Sequence, residues 1–178
     1  MRHALTPHPD SRSSAVSRIE VEAVRPRPGS LTLRYFVSGR IGDLFIPPVT
    51  SPERTDGLWK HTCFEAFVRA PDAGTYYELN FAPSTRWAAY KFTGYRTGMN
   101  AANEVEAPHI EAQASAGSYE LRAALILAGL ANEPLWRLNL TAVIEETSGS
   151  KSYWALAHPP GKPDFHHSDC FALELATA

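Results

Sequence analysis

The side chains with the clearest chemical potential lie in the segment 63–83, CFEAFVRAPDAGTYYELNFAP, which alternates like a β-hairpin around a PDAG turn. An antiparallel register about this turn gives one apolar face, formed by the pairs Val68 with Tyr77, Ala66 with Leu79 and Phe64 with Phe81. The same register sets Glu65 beside Asn80, and Phe67 beside Glu78, on the opposite face, which we call the polar face. Carboxylates and an amide beside aromatic rings suit a sugar, because its CH groups stack on a ring while its hydroxyls take directed hydrogen bonds.

The following segment, RWAAYKF, is predicted to be the next strand, and its alternation leaves two sets of side chains on opposite faces. We predict that Trp87 joins the polar face, where its indole would stand near both carboxylates. The predicted ligand-binding residues are Trp59, His61, Glu65, Glu78, Asn80, Trp87, Arg96, Trp154 and His158. Arg96 would either bind the ligand or neutralise Glu65 or Glu78 in a buried pair. Trp136 alternates with leucines and is predicted to lie in the core, and a merely solvated sheet face stays an alternative for the polar set.

Three other kinds of site can be written from the sequence. Glu65 and Glu78 could be the two carboxyls of a glycosidase, which stand about 5 to 9 Å apart. Met99 with a histidine could supply an axial pair for haem. Zinc ligands could come from three histidines, namely His158, His166 and His167. The sequence lacks Gly-x-Ser-x-Gly, a phosphate-binding glycine loop and His-Glu-x-x-His, and we therefore favour binding without turnover and predict no cofactor.

The composition suits one globular domain and disfavours several kinds of partner. The chain has 178 residues, 44% of them hydrophobic, and a net charge of -2, so no basic field would attract nucleic acid. Its longest apolar runs fall far short of the about 18 residues that a membrane-spanning helix needs. The first residues, MRHALTPHPDSRSSAVS, have no apolar signal region, which leads us to expect a cytoplasmic protein with reduced thiols at Cys63 and Cys170.

The elements that must position the hairpin are also strands, because period-two alternation recurs along the chain far more often than helical spacing. Strands are predicted at 18–24, 30–39, 63–69, 75–82, 86–93, 108–115, 118–127, 136–145, 152–157 and 170–176. About ten short strands with frequent turns predict an all-β fold, an antiparallel two-sheet β-sandwich of jelly-roll type. Residues 1–17 are predicted to be a flexible lead-in, and residues 18–178 a single domain.

A succession of segments resembles a known family. In chain order they are LTLRYFVSG, LWKHTCFEAFVRAP, YYELNFAPSTRWAAYKF, SYELRAALIL, WRLNLTAVIEE, SYWALAHP and KPDFHHSDCFALEL. Over about residues 18–176 the chain resembles the DOMON-like proteins of bacteria, which are related to the family 9 carbohydrate-binding modules. The resemblance implies a β-sandwich that holds a sugar, or in some relatives haem, between a sheet face and its loops.

The chain departs from this pattern just ahead of the strand that carries Glu65. His61 and Thr62 stand where the binding modules have an acidic residue. A calcium site of that kind would be weakened, because calcium prefers carboxylate and carbonyl oxygens. The sequence therefore predicts a module without cofactor that binds a small polar ligand, a saccharide or a sugar-like molecule.

Overall fold

The computed structural model describes residues 1–178 as an all-β chain of twelve antiparallel strands, which confirms the predicted fold class. The strands are β1 Arg2–Pro7, β2 Val16–Val24, β3 Ser30–Gly39, β4 Cys63–Arg69, β5 Tyr76–Phe81, β6 Trp87–Phe92, β7 Asn100–Ala101, β8 His109–Ala114, β9 Ser118–Ile126, β10 Leu135–Glu145, β11 Lys151–Ala155 and β12 Leu173–Ala176. Four 3-10 turns complete the secondary structure, at Ile41–Asp43, Leu58–Lys60, Ala128–Leu130 and Ser168–Cys170. No helix has the length and hydrophobicity that crossing a membrane requires.

The strands form two layers that are joined into one curled sheet. The front layer follows the order β7-β6-β5-β4-β10-β11, and the back layer follows β2-β3-β9-β8. Strand β12 pairs with the first residues of β10, Leu135 to Leu138, while β11 pairs with its last residues. Strand β1 connects them, since Arg2 to Leu5 pair with β2 while Thr6 and Pro7 pair with β11. The hydrogen-bonded path is therefore continuous from β7 to β8.

The main core lies between the two layers. Leu33 and Tyr35 of β3 and Phe64 and Ala66 of β4 are all fully buried within it. The rings of Tyr35 and Phe64 are 5.0 Å apart, and the Tyr35 hydroxyl donates a 2.6 Å hydrogen bond to the Glu65 carbonyl across the layers. Trp136 is fully buried in this core, as predicted. One face of β4 is thereby fixed to the back layer, and its other face must point outward from the sandwich.

The amino-terminal segment is not the lead-in that the sequence predicted. Arg2–Pro7 is a strand that pairs on both sides, and the side chains of Leu5 and His8 are buried. The segment reads as a loop because it is short, polar and ends in proline. Pairing with strands distant in sequence satisfies its backbone groups, and this decides its structure.

A carboxylate fastens the connection between β1 and β2. Glu146 accepts hydrogen bonds from the hydroxyls of Ser13 and Ser14 and from the backbone amides of Ser14 and Ala15. Burial opposes ionisation of this carboxyl, but the hydrogen bonds outweigh it and lower the pKa of Glu146 to about 2. The charged form is therefore the one that the folded protein prefers.

Replacing Glu146 with glutamine is expected to destabilise the protein by about 1 to 2 kcal/mol at pH 7, because charge-assisted hydrogen bonds are lost. The folded pKa lies below the usual value, so the contribution is present above pH 4.5 and disappears as the pH falls towards 2. Denaturant melts at pH 7 and pH 3 measure the difference. The control is Glu106→Gln, at an exposed glutamate without a hydrogen bond or ion pair. An equal loss at both pH values would contradict the assignment.

Candidate functional site: a covered polar face and an adjoining pocket

The hairpin has the register that the sequence predicted. Glu65 lies opposite Asn80 and Phe67 opposite Glu78, while the apolar pairs occupy the other face. Strand β10 extends the polar face on the far side of β4, because Thr141 pairs with Glu65. Six of the polar-face side chains come from only three adjacent strands, namely Glu65, Phe67, Glu78, Asn80, Asn139 and Thr141.

Trp87 does not join the polar face, and this prediction was wrong. It pairs with Phe81 and packs in the main core, with the Arg54 guanidinium 4.2 Å from its ring centroid. Tyr90, which pairs with Glu78, occupies the polar face in its place. Alternation correctly places the β6 side chains on two opposite faces of the sheet. Both faces contain aromatic rings, so the pattern does not show which face packs against the core.

The polar face is covered by a segment that we call the strap, residues 156–172, which connects β11 to β12. Phe165 and Phe171 of the strap form a second apolar cluster with Phe67 and other side chains of the polar face. The Asn139 amide donates a 2.9 Å hydrogen bond to the Phe165 carbonyl. Only 2% of Glu65, 7% of Glu78 and none of Asn80 is exposed. The predicted carboxylates are together, but they lie beneath a cover.

Burial dominates the ionisation of the two carboxyls. Glu65 accepts a 3.2 Å hydrogen bond from Thr141 through Oε2, while its Oε1 has no partner. Burial, reinforced by the charge of Glu78, raises the pKa of Glu65 well above its usual range. Burial also raises the pKa of Glu78, although a hydrogen bond from Asn80 and the charge of Arg96 oppose this. The two carboxyls do not face each other across an open cleft, which a glycosidase would need.

His166 fastens the strap to the polar face. Its Nδ1 is 2.8 Å from the Tyr76 hydroxyl, and its Nε2 is 3.7 Å from a carboxylate oxygen of Glu78. The Arg96 backbone amide donates to the same hydroxyl, which leaves the hydroxyl proton free to bond Nδ1. Burial, followed by the charge of Arg96, lowers the pKa of His166 to about 4. The imidazole is therefore neutral at pH 7 and acts as a hydrogen-bonding group.

Arg96 does not pair with Glu65 or Glu78, so the buried pair that the sequence offered as one alternative does not form. Its guanidinium donates to Asp164 of the strap at 2.8 Å. The Tyr95 hydroxyl donates to the same carboxylate. Burial opposes this charge, but the two donors lower the pKa of Asp164. The loop after β6 is thus tied to the strap by side chains 68 and 69 residues apart in sequence.

The remaining predicted residues are spread over the molecule. Trp154 is buried in the main core, and its indole donates to the Ser152 hydroxyl. His158 lies at the start of the strap, where its Nε2 is 2.8 Å from the Thr6 carbonyl oxygen. Neither side chain is available to a ligand at the polar face.

Trp59 and His61 lie at the opposite end of the hairpin from the PDAG turn. Trp59 belongs to the 3-10 turn Leu58–Lys60 and is 51% exposed. His61 is 2.6 Å from a carboxylate oxygen of Glu145 and packs beside the Phe45 ring. Both residues are accessible, and the Trp59 ring has Lys60 Nζ 5.9 Å from its centroid.

The candidate ligands for zinc and haem do not converge. His158, His166 and His167 each contact a different partner, and no group of three or more histidine, cysteine, aspartate or glutamate side chains is arranged to hold a metal ion. Met99 is exposed in the loop after β6. Cys63 and Cys170 are both free and buried.

A pocket of about 370 Å³ opens beside the strap, next to Tyr76 and His166, and we call it the strap pocket. It is lined by Arg69, Gly74, Tyr76, Gly94, Tyr95, His166, His167, Ser168 and Phe171. Tyr95 is 55% exposed, so its ring can meet a ligand. The sequence did not predict this site, because only Arg96 and Met99 of the segment GYRTGMN were candidate ligands. An aromatic residue between a glycine and an arginine in a loop was the available signal.

A larger groove of about 660 Å³ lies on the outer face of the back layer. Several of its charged side chains neutralise one another, as in the contacts of Arg34 with Glu22 and Glu120. No aromatic ring lines it. Cross-strand ion pairs of this kind are typical of a solvated sheet face, and we assign the candidate site to the strap pocket instead.

Fold and site together define the class of structure, which is a curled antiparallel β-sandwich with one sheet face closed by a carboxy-terminal strap. Among solved structures, the chain is similar to a candidate carbohydrate-binding protein from Bacteroides uniformis. The TM-score is 0.70 at 14% sequence identity, and the match covers 100% of this chain and 86% of that chain.

The chain is also similar to a family 9 carbohydrate-binding module from Caldicellulosiruptor kristjanssonii. The complex with glucose gives a TM-score of 0.54 at 10% identity and covers 94% of this chain and 79% of that chain. The complex with cellotriose gives 0.56 at 10% identity and covers 99% and 82%. No protein-family model matches the sequence, and no curated protein matches it. At these identities the likeness shows the fold, and at that level it confirms the resemblance that the sequence predicted.

Proposed function

We propose that the protein is a non-catalytic module that binds a saccharide in the strap pocket. The observation that carries the proposal is the composition of this pocket, where tyrosine rings meet an arginine, two histidines and a serine. A sugar needs this mixture, because its ring stacks on an aromatic face while its hydroxyls bond to polar groups at the edge. The fold supports the proposal, since one structural neighbour is a carbohydrate-binding module in complexes with glucose and with cellotriose.

The size of the strap pocket also suits a small ligand. Its volume of about 370 Å³ lies in the lower part of the range of about 300 to 1,000 Å³ for small-molecule sites. The pocket is held in shape by the Tyr76–His166 contact and by the attachment of Tyr95 and Arg96 to Asp164. A ligand would therefore meet a largely formed site, which reduces the entropy lost on binding.

The buried carboxyls serve this site indirectly. Glu78 stands behind His166, which lines the strap pocket with its ring. The polar face thus positions an imidazole at the pocket wall instead of contacting the ligand. This differs from the sequence-based proposal, in which Glu65, Glu78 and Asn80 themselves bonded the sugar.

Replacing Tyr95 with alanine is expected to weaken saccharide binding about tenfold, because the exposed ring supplies the stacking surface. Isothermal titration with glucose and cellotriose measures the affinity. Tyr95→Phe keeps the ring but loses the hydrogen bond to Asp164, and it is expected to bind within about twofold of the unmodified protein.

The matched control is Trp59→Ala, which removes another exposed aromatic ring, at the far end of the hairpin. Saccharide affinity should survive this change. If Trp59→Ala abolishes binding and Tyr95→Ala leaves it intact, the ligand site lies beside the Leu58–Lys60 turn and the assignment to the strap pocket is wrong.

A further inference from the structure

We infer that the strap pocket takes a saccharide that carries a carboxylate, a hexuronic acid, with Arg69 as the group that binds the acid. The inference rests on the proposed function and names the ligand class of that site. The inference depends on the few hydrogen-bond partners of the Arg69 guanidinium and on the charged side chains near it.

The Arg69 guanidinium makes a single hydrogen bond and has no carboxylate partner. Its Nη1 donates one 3.1 Å hydrogen bond, to the Ala73 carbonyl, and its Nε is buried without a partner. No carboxylate lies within ion-pair distance of it. Seven other arginines do contact a carboxylate, namely Arg2, Arg18, Arg34, Arg40, Arg86, Arg96 and Arg137.

Two further arginines without a carboxylate each donate to three backbone carbonyls, although the Nε of Arg25 is also buried without a partner. Arg25 donates to the carbonyls of Glu133, Pro134 and Leu175. Arg54 donates to those of Ala89, Ala102 and Val105. Both therefore have clear structural roles. Arg69 combines an incomplete set of partners with a place in a pocket wall.

The charges near Arg69 favour an incoming anion. No aspartate or glutamate lines the strap pocket. Arg137 stands directly opposite Arg69 on β10, and burial together with this second guanidinium lowers the pKa of Arg69, against the charge of Asp72 in the turn. His166 is neutral at pH 7 and does not replace Arg69 as the cation.

The geometry selects a carboxylate on a sugar ring. The Arg69 guanidinium lies over the Phe171 ring, with its central carbon 4.8 Å from the centroid, so its plane is held while one edge stays free of protein acceptors. A planar guanidinium bonds a carboxylate through charge-assisted hydrogen bonds, which strengthen in a partly dehydrated pocket. Tyr95 and Ser168 line the same pocket and would take the ring and a hydroxyl.

The test is isothermal titration of the full chain with glucuronate and with glucose, which differ in the carboxylate. Glucuronate is expected to bind at least tenfold more tightly at low salt, and the preference should shrink as salt is added. The preference is the ratio of the two affinities within each variant, and Arg69→Gln should reduce this ratio to less than twofold, even if the affinity for glucose also falls. Arg69→Lys keeps the charge but not the planar fork, and it should retain part of the preference.

The control is Arg122→Gln, at an exposed arginine on the outer face of β9 that has no carboxylate partner. It should leave the glucuronate preference unchanged, and thermal melts check that each variant is folded. Equal affinities for the two sugars, or a preference that survives Arg69→Gln, would overturn the inference while leaving the proposed function intact. Tighter, Arg69-dependent binding of glucose 6-phosphate than of glucuronate would contradict the choice of a carboxylate. If neither sugar binds, both the inference and the proposed function fail.

Discussion

Replacement of Glu65 with glutamine is expected to raise the melting temperature by about 5 °C at pH 7 and to change it little at pH 4. The carboxyl is 2% exposed, and one of its oxygens has no hydrogen-bond partner. Burial, together with the charge of Glu78, raises its pKa well above the usual range. Ionisation of this group is therefore unfavourable in the folded protein, and glutamine removes it with almost no change in volume.

The direction of the pH dependence follows from this raised pKa. The folded protein holds the Glu65 proton more tightly than the unfolded chain, so the group's contribution to stability is complete below pH 4.5 and declines as the pH rises towards the folded pKa. The loss is about 1.4 kcal/mol for each pH unit crossed. Because glutamine does not titrate, the gain in stability of Glu65→Gln over the unmodified protein must grow as the pH rises.

Calorimetric melts of Glu65→Gln between pH 4 and pH 8 measure this effect. Glu106→Gln, at an exposed position, is the control and should show no pH-dependent difference. A lower melting temperature for Glu65→Gln at pH 7 would mean that the carboxyl is ionised and stabilising in the folded state. A gain of equal size at pH 4 and pH 8 would separate the effect from ionisation altogether.

Replacement of Phe67 with alanine is expected to cost about 3 to 5 kcal/mol and to release the strap. The ring is almost fully buried on the polar face, with its centroid 5.0 Å from His166 and 6.4 Å from Phe165 of the strap. Tyr76 packs against it from the neighbouring strand. Its removal leaves a cavity between the sheet and the strap and takes away a ring that contacts both His166 and Phe165 of the strap.

Phe64→Ala is the matched control for this variant. Phe64 is fully buried on the same strand, but it faces the main core. Both variants should lose a similar amount of stability in denaturant melts. Hydrogen exchange should distinguish them, because only Phe67→Ala is expected to accelerate exchange in residues 156–172 more than elsewhere. Equal protection of these residues in both variants would show that Phe67 does not hold the strap.

The strand content and the hairpin register were readable from the sequence because both depend on local patterns. Alternation identifies strands, and the PDAG turn fixes which residues are opposite. The sequence predicted that Glu65 and Glu78 contact a ligand on an accessible face, whereas the structure buries both on the outer side of the sheet. The apolar pairs of the other face therefore suffice to fix the register.

The parts that the sequence did not reveal depend on contacts between distant segments. The strap reaches the polar face from about 90 residues farther along the chain, and its ion pair with Arg96 spans 68 residues. The assignment of Trp87 failed because periodicity separates two faces without naming them. The strap pocket was missed because Arg69, Tyr95 and Ser168 come from three segments that no local pattern connects.

Strand β1 is shared by the two layers, so the amino-terminal residues hold the front layer to the back layer. Its six residues form the hydrogen bonds that join β2 to β11, and without them the curled sheet would be open between these two strands. Proteolytic removal of β1 would expose the unpaired edges of both β2 and β11. Exposed strand edges pair with strands of other molecules, so the loss of a few amino-terminal residues would make the protein prone to aggregation.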